Sequence, residues 1–314
     1  ASRSSVRAVA FVDESQFVAG YANGHIRRWN IEDGQQLGPT MKGNGSVFSI
    51  AVSQDGRWIV SGDCGGKATV WNALTNEKVR DAEYGNYVYA VDISNDCTKV
   101  VAASYGTTDN VRLSGISSGT QLLPPLSHSR VRGVKFSPDG SRFAAASDDC
   151  GARVYNTHDG QVLFDSGTRC SAQTSWTRCS AQTSWIVTPL VWSADGQQLF
   201  VASKGGITSF SISDSSSSEW PIHENQSSLF IASNGIFISC SAGSSVSLWD
   251  CMSHVRIGST ITHTAELWCI ALSPSGRYLA CGFGDGIITG HDLRDVLPSK
   301  YFVRGVSEFH HCAT

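Results

Sequence analysis

Charged residues are scarce in this sequence. Asp, Glu, Lys and Arg make up 16% of its 314 residues, against about 25% in an average soluble domain. The 24 Lys and Arg are outnumbered by 27 Asp and Glu, which leaves a net charge of −3, and the longest basic feature is Arg27-Arg28. Proteins that bind nucleic acid usually carry a basic excess or stripe. We therefore expect no nucleic-acid partner.

Long apolar runs are also missing. No signal peptide or membrane-spanning segment is visible, so we expect no membrane partner. The 10 cysteines include no C-x-x-C pair, and several lie in apolar strand patterns, as Cys269 does. We interpret them as small buried hydrophobic residues of a reducing compartment and expect a cytoplasmic protein. Glycosylation sequons at Asn44 and Asn225 favour secretion only slightly.

Two common motifs do not occur, the nucleotide-binding G-x-x-x-x-G-K-[ST] and the metalloprotease H-E-x-x-H. The glycine-rich segment 282–286 has the composition of a turn. We interpret Asp148-Asp149 as a turn rather than a catalytic pair, and His310-His311-Cys312 as a solvated tail rather than a metal site. We therefore expect no catalytic residue, no cofactor and no bound metal, and predict that the chain is not an enzyme.

Glycine, in contrast, is plentiful at 31 residues, and many short apolar runs lie between the glycines. This pattern favours an all-β chain with many tight turns. The run 131–136, followed by Ser137-Pro138-Asp139-Gly140, defines a unit of one strand and an S-x-D-G turn. The other copies lie at 47–56, 187–196 and 267–276 and, more weakly, at 6–14, 88–96 and 228–235. The sequence therefore contains seven repeats.

The third strand of each repeat ends near a position that is aromatic in most copies. Trp29 and Trp71 are 42 residues apart. The equivalent positions are Ser114, Tyr155, Phe210, Trp249 and His291. All spacings but one are near 40; the interval from 155 to 210 is longer because residues 168–176 are repeated as 177–185. We interpret 168–185 as an inserted surface loop, since loop closure entropy grows only slowly with length.

A period near 42, four short strands per repeat, S-P-D-G turns and a terminal W-D or W-N resemble the WD-repeat family. The resemblance covers nearly the whole chain and implies an all-β fold, a seven-bladed β-propeller of four-stranded antiparallel blades in a single domain, 1–314. The amino-acid sequence of the repeats, as in 137–143, is similar to that of C-terminal WD arrays of fungal receptor-like proteins. The expected blades are 5–44, 45–86, 87–128, 129–167, 185–224, 227–264 and 265–306. We expect fourth strands at 121–123 in the third blade and 301–304 in the seventh.

The resemblance also implies a structural tetrad of His, Ser or Thr, Asp and Trp in each blade. The nearest matches are His128, Ser147, Asp149 and Tyr155 in the fourth blade, and His263, Asp285 and His291 in the seventh. Tyr155 and His291 stand at the Trp position. Because most blades lack the tetrad, we expect apolar packing to supply most of their stability.

In the WD-repeat family, the residue after the first apolar position of strand one lies at the mouth of the central channel, which often holds peptide side chains. Those residues here are Arg7, Phe48, Tyr89, Arg132, Thr188 and Trp268. Aromatic residues and arginine are typical of binding hot spots and hold anionic or aromatic groups. We predict a non-enzymatic scaffold that binds a protein or peptide at the top face and channel mouth. The other interpretation is that these residues fill the channel and contact ordered water.

A carbohydrate-binding propeller lectin is the alternative function, with a glycan as partner. It would use Trp176, Trp185 and Trp220 as exposed rings that stack on sugars. A lectin should repeat equivalent pockets between its blades, whereas these tryptophans fall in irregular loops. An enzyme is a third and weaker interpretation because no nucleophile and base stand out.

Overall fold

Seven antiparallel sheets follow one another along the chain. The computed structural model describes residues 4–147, 151–167, 190–203, 206–221 and 229–302. Blade 1 comprises β1 (Val6–Phe11), β2 (Gln16–Tyr21), β3 (His25–Asn30) and β4 (Gln36–Lys42). Blade 2 comprises β5 (Val47–Val52), β6 (Trp58–Asp63), β7 (Lys67–Asn72) and β8 (Lys78–Glu83). Blade 3 comprises β9 (Val88–Ile93), β10 (Lys99–Ser104) and β11 (Val111–Gly115).

The remaining four sheets repeat this order. Blade 4 comprises β12 (Val131–Phe136), β13 (Arg142–Ser147), β14 (Gly151–Asn156) and β15 (Val162–Asp165). Blade 5 comprises β16 (Leu190–Trp192), β17 (Gln198–Ser203), β18 (Gly206–Ser211) and β19 (Ser217–Pro221). Blade 6 comprises β20 (Leu229–Ser233), β21 (Phe237–Ala242), β22 (Ser245–Asp250) and β23 (Arg256–Thr262). Blade 7 comprises β24 (Leu267–Leu272), β25 (Tyr278–Phe283) and β26 (Ile288–Asp292).

The first strands of the seven blades form a closed ring. Each packs against the first strands of the two neighbouring blades, in the order β1, β5, β9, β12, β16, β20, β24 and back to β1. Every sheet pairs its strands in chain order, so the first strand is innermost. This arrangement is a seven-bladed all-β propeller, as the repeats predicted. Within the described residues, no helix has the length and apolar character that a membrane crossing requires.

The S-x-D-G turn is held by its serine and aspartate. In blade 2 the Ser53 hydroxyl donates to Asp55 (2.5 Å) and accepts from the Trp58 amide (2.9 Å). Gly56 has a φ of +68°, in the left-handed region that glycine tolerates best. The same Ser-to-Asp bond recurs from Ser94 to Asp96, Ser137 to Asp139 and Ser193 to Asp195. These turns join the first and second strands of blades 2 to 5.

The residue that ends the third strand caps the next turn. Its side-chain oxygen accepts a bond from the amide two residues later, which forms an Asx turn. The residues that act in this way are Asn30, Asn72, Asn156, Asp250 and Asp292. This bond is the local reason for the W-N and W-D endings.

Two expected fourth strands are different in the structure. In blade 3, residues near 121–126 form only isolated bridges, Ser114 with Gln121 and Val111 with Leu126. In blade 7, Ser299–Tyr301 is a 3-10 turn, so the strand predicted from Tyr301 is wrong at that residue. Tyr301 is buried against Phe237, and its hydroxyl donates to Asp250 in blade 6 (3.1 Å). A partner in the neighbouring blade, rather than the sheet edge, decides its position.

The Trp position of the third strand is used differently from blade to blade. In blade 2 the Trp71 indole donates to the buried Ser61 hydroxyl (2.9 Å). In blade 4 the ring of Tyr155 lies 6.4 Å from that of His128, and Ser147 donates to the Ser129 carbonyl (2.5 Å). Asp149 and the inserted loop 168–185 lie outside the described residues.

Cys240 and Trp249 of blade 6 occupy the positions of Ser61 and Trp71, since Trp249 pairs with Ile238 as Trp71 pairs with Ile59. The Trp249 indole nitrogen is buried with no hydrogen-bond partner among the described residues. Because an unsatisfied buried donor costs about 1–3 kcal/mol, Cys240→Ser is expected to stabilise the chain by about 0.5–1 kcal/mol. Urea unfolding followed by tryptophan fluorescence measures this change.

The reciprocal variant Ser61→Cys removes the acceptor of Trp71 and should destabilise the chain by a similar amount. A Cys240→Ser chain that is less stable than the parent would show that the indole of Trp249 does not need this acceptor.

Candidate partner-binding site

A β-bulge interrupts the first strand of five blades, each time one residue after the first apolar position. The bulged residues are Arg7 in β1, Phe48 in β5, Tyr89 in β9, Arg132 in β12 and Trp268 in β24. A bulge bends its strand and re-aims the side chain of the extra residue. These five are the described members of the predicted binding column. Thr188 lies outside the described residues, and β20 of blade 6 pairs without a bulge.

The bulges lie on one face of the propeller. Because strands within a blade are antiparallel, the start of the first strand is at the same end as the turn between the second and third strands. The S-x-D-G turns and the Asx turns lie at the other end. We call the bulged residues, together with Tyr87 and Tyr105, the rim.

Four rim residues from blades 2, 3 and 4 are linked by successive contacts. The Phe48 and Tyr89 rings stack with centroids 4.9 Å apart and planes 19° apart. The Arg132 guanidinium lies over the Tyr89 ring at 4.3 Å and over the Tyr105 ring at 4.8 Å. Cation–π contacts of this kind contribute about 0.5–2 kcal/mol each. The predicted residues of three consecutive blades therefore form one continuous surface.

Burial divides this surface into a support and an accessible part. Phe48 and Tyr89 are only 3% and 5% exposed, whereas Tyr87 is 45% exposed. The Tyr87 ring packs edge-on against both of the buried rings, at 6.1 and 6.2 Å. Burial raises the pKa of Tyr89, and the nearby Arg132 charge opposes that shift, so the phenol is protonated at neutral pH. Phe48 and Tyr89 are therefore mainly packing residues, whereas Tyr87, Tyr105 and Arg132 are accessible to solvent and to a partner.

Arg7 and Trp268 form a second group where blades 1 and 7 meet. The Arg7 guanidinium lies 4.4 Å from the centroid of the Trp268 ring. A Cβ on Gly284 would approach the Trp268 ring to 3.0 Å, so this glycine permits close packing of the indole on the backbone. Burial lowers the pKa of Arg7 from its usual value of 12.5. Both side chains are partly exposed.

Tyr87 and Tyr105 were missed by the sequence analysis. Tyr87 directly precedes β9, in the segment that connects blades 2 and 3, so strand periodicity does not cover it. Tyr105 follows the end of β10, and its amide donates to the Tyr87 carbonyl (2.8 Å). That position in a connecting segment has no periodic signal.

The channel contains a separate cavity of about 250 Å³. Its wall comes from the middle and the carboxyl ends of the first strands, and includes Asp92 and Lys135. The Lys135 ammonium lies 2.7 Å from the Asp92 carboxylate, which also accepts the Phe136 amide. The positive charge of Lys135 in blade 4 and the negative charge of Asp92 in blade 3 therefore neutralise each other inside the channel.

Trp220 is not the exposed ring that the lectin hypothesis requires. It is 5% exposed in β19, and its ring stacks on His254 of blade 6 with centroids 3.9 Å apart. The expectation of an exposed Trp220 is therefore wrong, because the fourth strand of blade 5 packs against the next blade. Trp176 and Trp185 lie outside the described residues.

Comparison with known proteins agrees with this geometry. The family "WD domain, G-beta repeat" matches residues 35–72, 120–156 and 255–292. Each match ends at the third strand of a blade, with Asn72, Asn156 or Asp292 as its last residue. Three segments match this one repeat family, and the seven sheets close into a ring. The chain is a seven-bladed β-propeller whose repeats match the WD-repeat family.

The propeller is similar to several curated WD-repeat proteins and their relatives. WD repeat-containing protein SL1-17 of Schistosoma mansoni is 31% identical over 144 residues, which is 45% of this chain and 46% of that protein. Protein HIR1 of Phaeosphaeria nodorum is 24% identical over 69% of this chain and 23% of its own length. Serine-threonine kinase receptor-associated protein of Dictyostelium discoideum is 28% identical over 41% and 43%. The chain spans less than half the length of each of these relatives.

This likeness gives a coarse functional expectation. WD-repeat propellers generally serve as non-enzymatic scaffolds for protein interaction, and this chain shares their fold. The rim is its candidate contact surface, because it joins aromatic and guanidinium groups of several blades.

Proposed function

We propose that this propeller is a non-enzymatic scaffold that holds a protein or peptide partner on the rim. The observation that carries the proposal is the contact chain Phe48–Tyr89–Arg132–Tyr105 across three blades. Rings that are already packed lose little side-chain entropy when a partner binds, which favours affinity. One relative is named for association with a receptor, and an association role suits this chain as well.

The chemistry of the rim favours an acidic peptide with an aromatic side chain. The rim contains two guanidinium groups, Arg7 and Arg132, and no carboxylate. A guanidinium binds a carboxylate through paired, charge-assisted hydrogen bonds. Tyr87, Tyr105 and Trp268 offer ring faces or edges on which an aromatic side chain can stack. The top face and channel mouth are therefore the proposed docking region.

Catalysis is not part of the proposal. Aromatic rings and guanidinium groups supply neither a nucleophile nor a base at neutral pH. A selected peptide should therefore keep its mass during incubation with the propeller, as mass spectrometry can show.

A peptide-display selection against the propeller tests the proposal. We expect selected peptides to be enriched in Asp or Glu beside Phe, Tyr or Trp. Arg132→Ala should weaken the binding of such a peptide by about 10- to 30-fold, the range of a single hot-spot truncation. Fluorescence anisotropy with a labelled peptide measures the Kd.

Leu74→Ala is the matched surface control, because Leu74 is 81% exposed and lies in the Asx turn after Asn72, on the opposite face. It should leave the Kd unchanged. If Arg132→Ala and Tyr87→Ala both keep the parent affinity and the parent Tm, the rim is not the docking site. Binding to a glycan array without any selected peptide would support the lectin alternative instead.

A further inference from the structure

Three side chains with metal-binding groups converge in blade 7. They are His263, which follows β23, Cys281 in β25 and His291 in β26. One potential ligand atom of each lies within 4.8 Å of the other two. The His263 and His291 rings have centroids 5.0 Å apart. The residues are 18 and 10 positions apart in sequence, a spacing that matches no common metal motif, so only the fold reveals the group.

Blade 2 shows what normally occupies this place. Cys281 corresponds to Ser61, and His291 corresponds to Trp71, because His291 pairs with Leu279 as Trp71 pairs with Ile59. Blade 2 joins the two positions by the hydrogen bond from the Trp71 indole to Ser61. In blade 7 both members are replaced, and each replacement is a side chain that ligates transition metals.

The three side chains are largely shielded from solvent. Cys281 is fully buried, and His263 and His291 are half-buried. The His263 Nε2 atom is buried and has no hydrogen-bond partner among the described residues.

We propose that His263, Cys281 and His291 bind one zinc ion. In a tetrahedral zinc site with Zn–S near 2.3 Å and Zn–N near 2.0 Å, the ligand atoms are separated by about 3.3–3.7 Å. The side chains therefore need to close by about 1 Å, which rotation about their χ angles can supply. Three protein ligands leave the fourth position to water or to a group from a partner.

Zinc at this position would bind together a loop and two strands of the last blade. At the equivalent place in blade 2, the hydrogen bond from the Trp71 indole to the Ser61 hydroxyl joins the second and third strands. Metal binding should release the thiol proton of Cys281. A zinc concentration about 100-fold above the Kd should raise the Tm by about 4 °C for a chain of this size.

The test uses the full chain with His310→Ala, His311→Ala and Cys312→Ala, so that the terminal His and Cys residues cannot contribute. After equilibration in a zinc buffer, elemental analysis should find one zinc per chain. Cobalt(II) in place of zinc should give an intense thiolate-to-metal charge-transfer band.

Cys281→Ser/His291→Trp restores the blade 2 pair and is the non-binding variant with a supported fold. Cys240→Ser, at the same position of blade 6, is the matched cysteine control. The proposal requires that the first variant lose zinc, the cobalt band and the Tm rise, and that the second keep all three. No zinc on the parent chain, or equal zinc on the double variant, would overturn it. If the double variant does not fold, the single variant Cys281→Ser decides, since it must lose the charge-transfer band.

Discussion

Phe143→Ala is expected to lower the free energy of unfolding by about 3–5 kcal/mol, the range for removal of a fully buried aromatic side chain. Phe143 has no exposed surface in β13. Its ring stacks on Tyr155 (5.1 Å, 20°) and meets Phe136 edge-on at 6.1 Å. Aromatic pairs add about 0.5–1.5 kcal/mol beyond area burial. Equilibrium unfolding in urea, followed by circular dichroism, measures the loss.

The effect should be large because Phe143 also joins two blades. Its apolar cluster includes Val101 and Leu113 of blade 3 as well as Tyr155 of blade 4. A cavity there weakens one blade and its interface with the neighbour, and a propeller blade needs its neighbours for stability. The exposed control Leu74→Ala should change stability by less than about 0.5 kcal/mol. A loss below about 1 kcal/mol for Phe143→Ala would mean that the surrounding rings close the cavity.

The propeller could be predicted from the sequence because hydrogen bonds between nearby residues determine the local structure of each repeat. The S-x-D-G turns are held by bonds between residues two to five apart, such as Ser53 with Asp55 and with the Trp58 amide. The terminal Asn or Asp of the third strand makes its Asx turn within the same few residues. Local bonds of this kind can be read from a linear pattern. The column of bulged residues was found for the same reason, since the bulge occurs at a fixed offset within the repeat.

Features that depend on contacts between blades could not be predicted in this way. Tyr301 leaves the expected strand because its hydroxyl bonds Asp250 of blade 6. Trp220 is buried because the ring of His254 lies against it. Tyr105 belongs to the rim only because Arg132 of the next blade lies over its ring. In each case the partner is far away in sequence, and no periodicity connects the two residues.

Ring closure depends on the same kind of long-range contact. Blade 1 and blade 7 share one apolar cluster, in which Val6 and Val9 pack with Cys269 and Ala271. The Ser5 hydroxyl also donates to the Gly284 carbonyl (2.6 Å). A Cβ on Gly282 would lie 2.7 Å from a Val6 methyl carbon and 2.5 Å from the Cys269 sulfur. The absence of a side chain at Gly282 therefore allows the first and last blades to meet.

Gly282→Val is accordingly expected to lower the free energy of unfolding by about 3 kcal/mol, the upper part of the range for overpacking. Urea unfolding measures the change. Gly290→Ala is the matched control, since nothing lies within 4 Å of a Cβ there, and it should have little effect.

The double variant Gly282→Val/Val6→Ala separates a clash at the junction from a general effect of valine in β25. Removal of the Val6 methyl groups relieves the clash, so the two changes should be non-additive by about 1 kcal/mol or more in the stabilising direction. Strict additivity would show that Gly282 does not act through Val6. The clash with the Cys269 sulfur within blade 7 would then account for the loss of stability, and the shared apolar cluster alone would account for closure of the ring.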